Sequence, residues 1–157
     1  MKNIRQENER KLTGGLIRFS RVYRKEVNRT LSTYGISDAQ AVPVLHIARG
    51  GGGMRQHQLA DEIGIKGPSL VRLLDQLCAH GLVERRDDGL DRRAKNLHLT
   101  AAGEALAERV EMVLTQIRGR LLASIGDADL DAALRVMDLL GDALEAGHAA
   151  PQNDEAV

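Results

Sequence analysis

The sequence predicts a mainly α-helical fold that carries one small β-hairpin. Apolar residues recur at spacings of three and four along most of the chain, which is typical of amphipathic helices. Two short segments near the middle, 82–85 and 96–99, are predicted strands, and the charged loop that joins them contains the turn pair Asp88-Gly89. The 157 residues suffice for one compact domain with helical extensions.

Composition limits the setting in which the protein works. Cys78 is the only cysteine, which excludes an internal disulfide and a cysteine-based zinc site and favours a reducing compartment. Residues 1–11 are polar and charged, so we expect no signal peptide. No apolar run approaches the roughly 18 residues that a membrane span requires. These features predict a cytoplasmic protein with no membrane partner.

Charge is balanced overall but uneven along the chain. The 22 basic and 22 acidic residues cancel, so net charge gives no argument for a nucleic-acid partner. Residues 1–34 carry nine Lys and Arg against three Glu, whereas residues 101–157 carry four Arg against eleven Asp and Glu. Residues 65–98 hold seven basic and five acidic groups. If the two ends pack together, the middle remains mildly basic, although solvated helix faces also show such asymmetry.

Three apolar stripes predict long helices at the two ends of the chain. The first helix covers about residues 7–33, and a shorter helix capped by Ser37 follows it. Thr100 caps another helix, and the last one follows Gly126. The stripe residues are Leu12, Leu16, Phe19, Tyr23, Val27, Leu31 and Tyr34 in the first helix, Leu106, Val110, Val113, Ile117 and Leu121 after Thr100, and Leu130, Leu134, Met137, Leu140 and Leu144 in the last.

Residues 56–80 form two short predicted helices with a tight break at 64–66. Ala60 is small where the two helices must approach closely, and Gly64 lies at the turn. Pro68 is expected at the first helical position of the second helix, where no amide donor is lost. Together with the hairpin that follows, this unit predicts a winged helix-turn-helix with terminal dimerisation helices.

The predicted organisation has four parts. An N-terminal dimerisation helix occupies residues 1–34, a winged helix-turn-helix DNA-binding domain residues 35–100, and C-terminal dimerisation helices residues 101–148. We expect residues 149–157 to form a disordered tail. A small winged helix cannot cover three long apolar stripes, but a two-fold dimer of interleaved terminal helices would bury them. The alternative is a monomer whose stripes pack on one another.

The second helix of the helix-turn-helix holds the first set of candidate DNA contacts. In such a unit this helix enters the major groove, and its N-terminal residues face the base edges. Pro68, Ser69 and Arg72 occupy those positions, with Lys66 near phosphate. Arg72 is able to make a bidentate bond to guanine. The alternative is a helical hairpin that packs against protein.

The hairpin loop holds the second set. Five basic residues lie in segment 85–95, and the candidate DNA contacts among them are Arg86, Arg92, Arg93 and Lys95. Exposed arginines suit phosphate contact or insertion into a narrow minor groove. Asp91 would clamp Arg93 and hold the loop in shape. The alternative is an ordinary solvated hairpin tip.

Three segments resemble the wing signature of MarR-type regulators: Gly-Leu-Val-Glu-Arg at 81–85, Asp-Arg-Arg-Ala-Lys at 91–95 and Leu-His-Leu-Thr-Ala-Ala-Gly at 97–103. Pro-Ser-Leu-Val-Arg at 68–72, followed by Leu-Asp-Gln-Leu at 74–77, is similar to the SlyA branch. The resemblance covers about residues 10–145. It implies a triangular homodimer with a core of terminal helices, base contacts from Ser69 and Arg72, Arg93 at the minor groove and Asp91 bracing the wing.

The resemblance also implies a small-molecule effector. Such regulators often lose DNA affinity when an aromatic carboxylate binds between the dimer helices and the winged helix. Arg18 and Arg21 match basic residues of relatives and would pair with a carboxylate, and His46 would reach the same cleft. Ala41 stands where many relatives carry tryptophan, so the lining of the pocket differs. Surface arginines and an internally hydrogen-bonded histidine are the alternative interpretation.

No arrangement of residues predicts an enzyme, a cofactor or a metal site. The five histidines are scattered without metal-ligand spacing, and no phosphate loop or nucleophile elbow is present. Cys78 ends the recognition helix, where a buried and unreactive thiol is expected. We therefore predict a sequence-specific transcriptional repressor that binds a pseudo-palindromic duplex and is released by a small aromatic carboxylate. The alternative is a winged-helix module that binds protein, for which a basic wing and Arg72 would be unnecessary.

Overall fold

The computed structural model describes the backbone of residues 3–87 and 95–149, and the side chains of these residues up to 147. Within these ranges the elements are α1 (Ile4–Thr33), α2 (Asp38–Arg49), β1 (Met54–Arg55), α3 (Gln56–Ile63), α4 (Gly67–Ala79), β2 (Val83–Asp87), β3 (Lys95–Leu99), α5 (Ala101–Leu122) and α6 (Asp127–Ala149). The chain divides into two compact units, Met1–Ile117 and Arg118–Val157. The predicted fold class, mainly helical with a small β wing, is confirmed.

Helix α1 begins where the Asn3 side chain accepts a hydrogen bond from the Arg5 amide at 3.1 Å. Near its end, the hydrogen bond and the charge of Glu26 raise the pKa of the Arg29 guanidinium. Leu31 is the buried residue of this helix, whereas Phe19, in the middle of the predicted stripe, is 58% exposed. The first half of the stripe is therefore not covered within one chain.

The core of the winged helix joins α2, α3 and α4 to the sheet. Val44, Leu59, Leu74 and Leu97 have no exposed surface, and Cys78 packs against this cluster in a partly buried position. The turn between α3 and α4 begins at Gly64, whose φ of 69° is left-handed, and the Ile65 amide donates to the Ala60 carbonyl at 3.1 Å. This packing fixes α4 against α3.

The sheet has three strands in the order β1-β3-β2, all antiparallel, so the predicted two-stranded hairpin gains a third strand. Met54 pairs with Leu97 and Arg55 with Asn96. The preceding loop has left-handed backbone at three consecutive glycines, 51–53, and the Gly53 amide donates to the Leu97 carbonyl at 3.1 Å. The loop therefore places the two residues of β1 beside β3, at the edge of the hairpin.

The start of α4 differs from the sequence-based expectation. The first helical residue of α4 is Gly67, with Lys66 as N-cap, so Pro68 occupies the second position. Proline is tolerated there because the second amide of a helix also has no intrahelical acceptor. Helix α2 runs without interruption through Pro43, which is buried.

A second cluster packs the end of α1 and the start of α2 against α5. Its buried members are Leu31, Ile36, Ala41, Leu45, Val110, Val113, Leu114 and Ile117. Arg109 Nη2 also donates to the Tyr34 carbonyl at 3.2 Å. The first part of α5 is thus anchored to both N-terminal helices.

Helix α6 has no buried residue among its described side chains, 127–147. Three residues of its predicted stripe stay in contact with solvent: Leu134 is 55% exposed, Met137 43% and Leu144 66%. None of the described helices combines the length and the apolar character that a bilayer crossing requires.

Candidate nucleic-acid interface

Helix α4 has one buried face and one exposed face. Leu70, Leu74 and Leu77 are buried, whereas Pro68, Ser69 and Arg72 are exposed. The helical repeat places Pro68 and Arg72 one turn apart on the same side. Lys66 precedes them and is also exposed. The four residues predicted to contact DNA from this helix therefore lie together around its free N-terminal half.

The β2–β3 hairpin, hereafter the wing, carries the other described candidates. Arg86 on β2 pairs with Asn96, and Lys95 on β3 is directly opposite Asp87. Both side chains are exposed, and each contacts an acid: Arg86 contacts Glu84, and Lys95 contacts Asp87. The wing strands thus present cations that already hold carboxylate partners. Asp91, Arg92 and Arg93, and the turn predicted at Asp88-Gly89, lie outside the described residues.

The wing is tied to α4 by an ion pair that the sequence does not reveal. Arg85 Nη2 lies 2.8 Å from Asp75 Oδ1, and the two side chains are 30% and 58% exposed. Arg85 belongs to the basic segment in which phosphate contacts were expected. Its carboxylate partner is ten residues away, on another element, so sequence spacing alone could not have found the pair.

Val71 is a further exposed residue on α4 that the sequence analysis did not select. Its side chain is 49% exposed although it is apolar. It lies three residues after Pro68 and next to Arg72, so it borders the same free face. A helical wheel of α4 would have shown this, because Val71 falls outside the arc of Leu70, Leu74 and Leu77.

The three residues predicted to bind an effector are placed as follows. Arg18 and Arg21 are exposed on α1. His46 on α2 has its Nδ1 2.6 Å from Glu62 Oε2 on α3, so its ring already faces a carboxylate. Ala41 is a buried member of the second cluster. The described contacts do not bring His46 together with either arginine.

Clefts among the described residues of the first unit differ in chemical character. A small apolar one is lined by Tyr34, Ile36, Arg109, Met112, Val113 and Gln116. A larger, polar one lies between the wing, the glycine loop and α5, and it includes Arg86, His98, Glu104 and Glu108. Glu104 and Glu108 give the α5 side of this second cleft an acidic character, which does not favour a carboxylate.

Known proteins resemble this chain over most of its length. Residues 34–94 match the model of the MarR family. The solved structure of the transcriptional regulator PA3341 is 34% identical, with a TM-score of 0.80, and the match covers 86% of this chain and 98% of that one. The S. aureus MepR–DNA complex is 20% identical with a TM-score of 0.73, covering 87% and 99%. The transcription regulator MarR from Oenococcus oeni PSU-1 is 17% identical with a TM-score of 0.65, covering 83% and 98%. The last two show likeness of fold alone.

Proposed function

The chain belongs to the MarR family of transcriptional regulators, and from that premise we propose that it is a homodimer that binds a specific duplex DNA sequence. Helix α4 enters the major groove, and the wing reaches the adjacent backbone and minor groove. The observation that carries the proposal is the free N-terminal half of α4, where Pro68, Ser69 and Arg72 are exposed together. The similarity of residues 68–77 to the SlyA branch supports the same assignment.

Each residue of this face has a distinct chemical role. Arg72 donates two parallel hydrogen bonds to guanine O6 and N7, which is worth about 1–3 kcal/mol of discrimination against another base. Ser69 donates to a base or a phosphate. Lys66 contacts phosphate, and phosphate contacts position the helix without reading sequence. Pro68 packs against the edge of a base pair.

The wing adds contacts that are mainly electrostatic. Arg86 and Lys95 exchange the carboxylates of Glu84 and Asp87 for DNA phosphates, and Arg92 and Arg93 extend the contact toward the minor groove, with Asp91 holding the loop. Releasing condensed counterions from DNA makes such binding fall with salt concentration. Because Arg86 and Lys95 each give up a carboxylate partner when they bind phosphate, the wing favours DNA only where its shape brings phosphates close.

A second copy of the chain covers the exposed apolar residues of the terminal helices. Ile17 and Phe19 on α1, and Leu134 and Leu144 on α6, are each more than half exposed. Burying one such leucine or phenylalanine side chain is worth roughly 1.5–3 kcal/mol. Two recognition helices related by two-fold symmetry then read a pseudo-palindrome whose half-sites lie roughly 10 bp apart.

We propose further that the protein is a repressor that a small aromatic carboxylate releases from DNA. Arg18 or Arg21 forms a charge-assisted bond with the carboxylate, and the pair is stronger when partly desolvated. His46 takes part only if its ring leaves Glu62. A ligand that binds the DNA-incompetent conformation about 1.4 kcal/mol more tightly than the competent one lowers DNA affinity tenfold.

Selection of genomic or random duplexes by the purified protein tests the DNA-binding proposal. We expect a pseudo-palindromic consensus that binds at least a thousandfold more tightly than unrelated DNA, as is typical of specific regulators. Binding should weaken steeply across a series of salt concentrations. Recovery of no consensus, with equal and weak binding to all duplexes, would favour the winged-helix module that binds protein.

A further inference from the structure

We infer that the ion pair between Asp75 and Arg85 sets the position of the wing relative to α4, and that Arg85 acts as this brace and not as a phosphate contact. The inference rests on the proposed DNA binding and assigns a positioning role within it. Arg85 Nη2 and Asp75 Oδ1 are 2.8 Å apart, which is the length of a charge-assisted hydrogen bond. This pair joins β2 of the wing to α4.

The direction in which Arg85 points follows from the strand register. Arg85 is the partner of Leu97, whose side chain is completely buried in the core beneath the sheet. Directly paired residues of an antiparallel sheet point to the same face, and neighbours along a strand point to opposite faces. Arg85 therefore lies on the face of the sheet that carries Leu97 and contacts α4, whereas Arg86 lies on the opposite face and lines the cleft beside α5. The exposed fractions agree, because Arg85 retains 30% of its side-chain surface and Arg86 58%.

Asp75 needs such a partner if α4 lies in the major groove. It follows Arg72 by three residues and Pro68 by seven, so all three share the exposed face of the helix. A bare carboxylate at that place repels the phosphates that flank the groove. Arg85 neutralises it, and the same contact holds the base of the wing at a fixed distance from Arg72. The wing and the helix can then reach their separate grooves at the same time.

The pair is too exposed to be a major source of folding stability. Ion pairs on a protein surface contribute about 0–1 kcal/mol. Removing it should thus leave the protein folded while the wing changes position. This separation makes a direct test possible.

The test replaces both partners by neutral residues of similar shape. The double variant Asp75→Asn with Arg85→Gln keeps the net charge of the pair at zero. We expect it to bind the selected operator about tenfold more weakly than wild type, with the same slope of log K against log salt concentration. Hydroxyl-radical footprinting should show weaker protection of the minor groove beneath the wing and unchanged protection around α4. The reversed pair, Asp75→Arg with Arg85→Asp, should restore much of the wing protection.

Arg86→Gln is the matched control, because Arg86 is the neighbouring residue on the same strand and points to the other face. It should reduce the salt slope by about one unit, as the loss of one phosphate contact does. A reduction of that size in the double variant would show that Arg85 contacts phosphate and would overturn the inference. Full wing protection in the double variant would overturn it as well.

Amide hydrogen exchange of the free protein separates this inference from the DNA-binding proposal. In the double variant we expect faster exchange in β2 and β3 than in wild type, with unchanged exchange in α5. If the wing exchanges faster in the double variant but wild type binds no operator, the role of the ion pair is supported and the DNA-binding proposal is refuted. Unchanged wing exchange in a protein that binds its operator would refute the brace alone.

Discussion

The α carbon of Gly103 lies against the carbonyl oxygen of Leu82, so closely that a β carbon on Gly103 would be 2.0 Å from that oxygen. The contact belongs to the junction of the wing with α5. Thr100 Oγ1 donates to the Gly81 carbonyl at 2.6 Å and accepts from the Gly103 amide at 3.1 Å, and the Thr100 amide donates to the Leu82 carbonyl at 3.1 Å. Thr100 thus caps α5 and bonds it to the two residues that precede β2.

Gly103→Ala should destabilise the protein, because a backbone oxygen cannot move aside as the end of a side chain can. Overpacking of this kind costs about 1–3 kcal/mol and more where backbone must shift. Gly119→Ala in the same helix is the control, since nothing lies within 4 Å of its added carbon, and alanine is favoured over glycine in a helix by about 0.5–1 kcal/mol. Urea unfolding at one fixed protein concentration measures both changes. Equal effects of the two substitutions would contradict the contact.

Val71 should read a thymine methyl group. An exposed apolar side chain beside Arg72 faces the groove in which thymine presents its C5 methyl. Replacing the thymines of one half-site by deoxyuridine, one at a time, should cost wild type about 0.8 kcal/mol, a factor of about four in Kd, at one position. Val71→Ala should lose affinity for the natural site and show no further loss at that position. If the losses of affinity from the protein change and from the DNA change were additive, Val71 would not contact that methyl group.

Much of this fold can be predicted because helix periodicity is a local signal. The order of the helices, the cap at Thr100 and the break at Gly64 all depend on residues near each other in the sequence. Strand β1 could not be predicted, since Met54 and Arg55 become a strand only by pairing with Leu97 and Asn96. The role of Arg85 could not be predicted for the same reason, since it depends on contact with Asp75 on another element. Sequence pattern identified the cations of the wing but not which of them face protein.

Because α6 carries exposed apolar residues, we expect a dimer that a single charged substitution on this helix dissociates. Leu144→Glu places a carboxylate at a side chain that is 66% exposed in the single chain, so the monomer should still fold while the dimer weakens. Desolvating an unpaired carboxylate costs several kcal/mol. Arg135→Glu, off the stripe on the same helix, is the control and should stay dimeric. Sedimentation velocity at micromolar concentration distinguishes the species, and a folded monomeric wild type would refute the dimer.

The effector proposal predicts a selective loss of response. Salicylate and related aromatic acids should raise the Kd of the wild-type DNA complex about tenfold, which corresponds to about 1.4 kcal/mol of coupling. Arg18→Ala or Arg21→Ala should bind DNA normally and respond less. Arg24→Ala, an exposed arginine on the same helix, should respond like wild type. If no acid shifts the wild-type isotherm, the repressor has no effector of this class; if both variants respond fully, other residues hold the acid.

Base preference at Arg72 tests the central claim, that α4 reads DNA in the major groove. The measurement is a parallel selection of random duplexes by wild type, by Arg72→Ala and by Gln76→Ala, whose side chain is exposed one turn further along the same helix. We expect wild type and Gln76→Ala to select the same pseudo-palindrome. Arg72→Ala should lose the preference for guanine at one position in each half-site, by about 1–3 kcal/mol, and keep the others. An unchanged consensus for Arg72→Ala would contradict the placement of α4 in the groove.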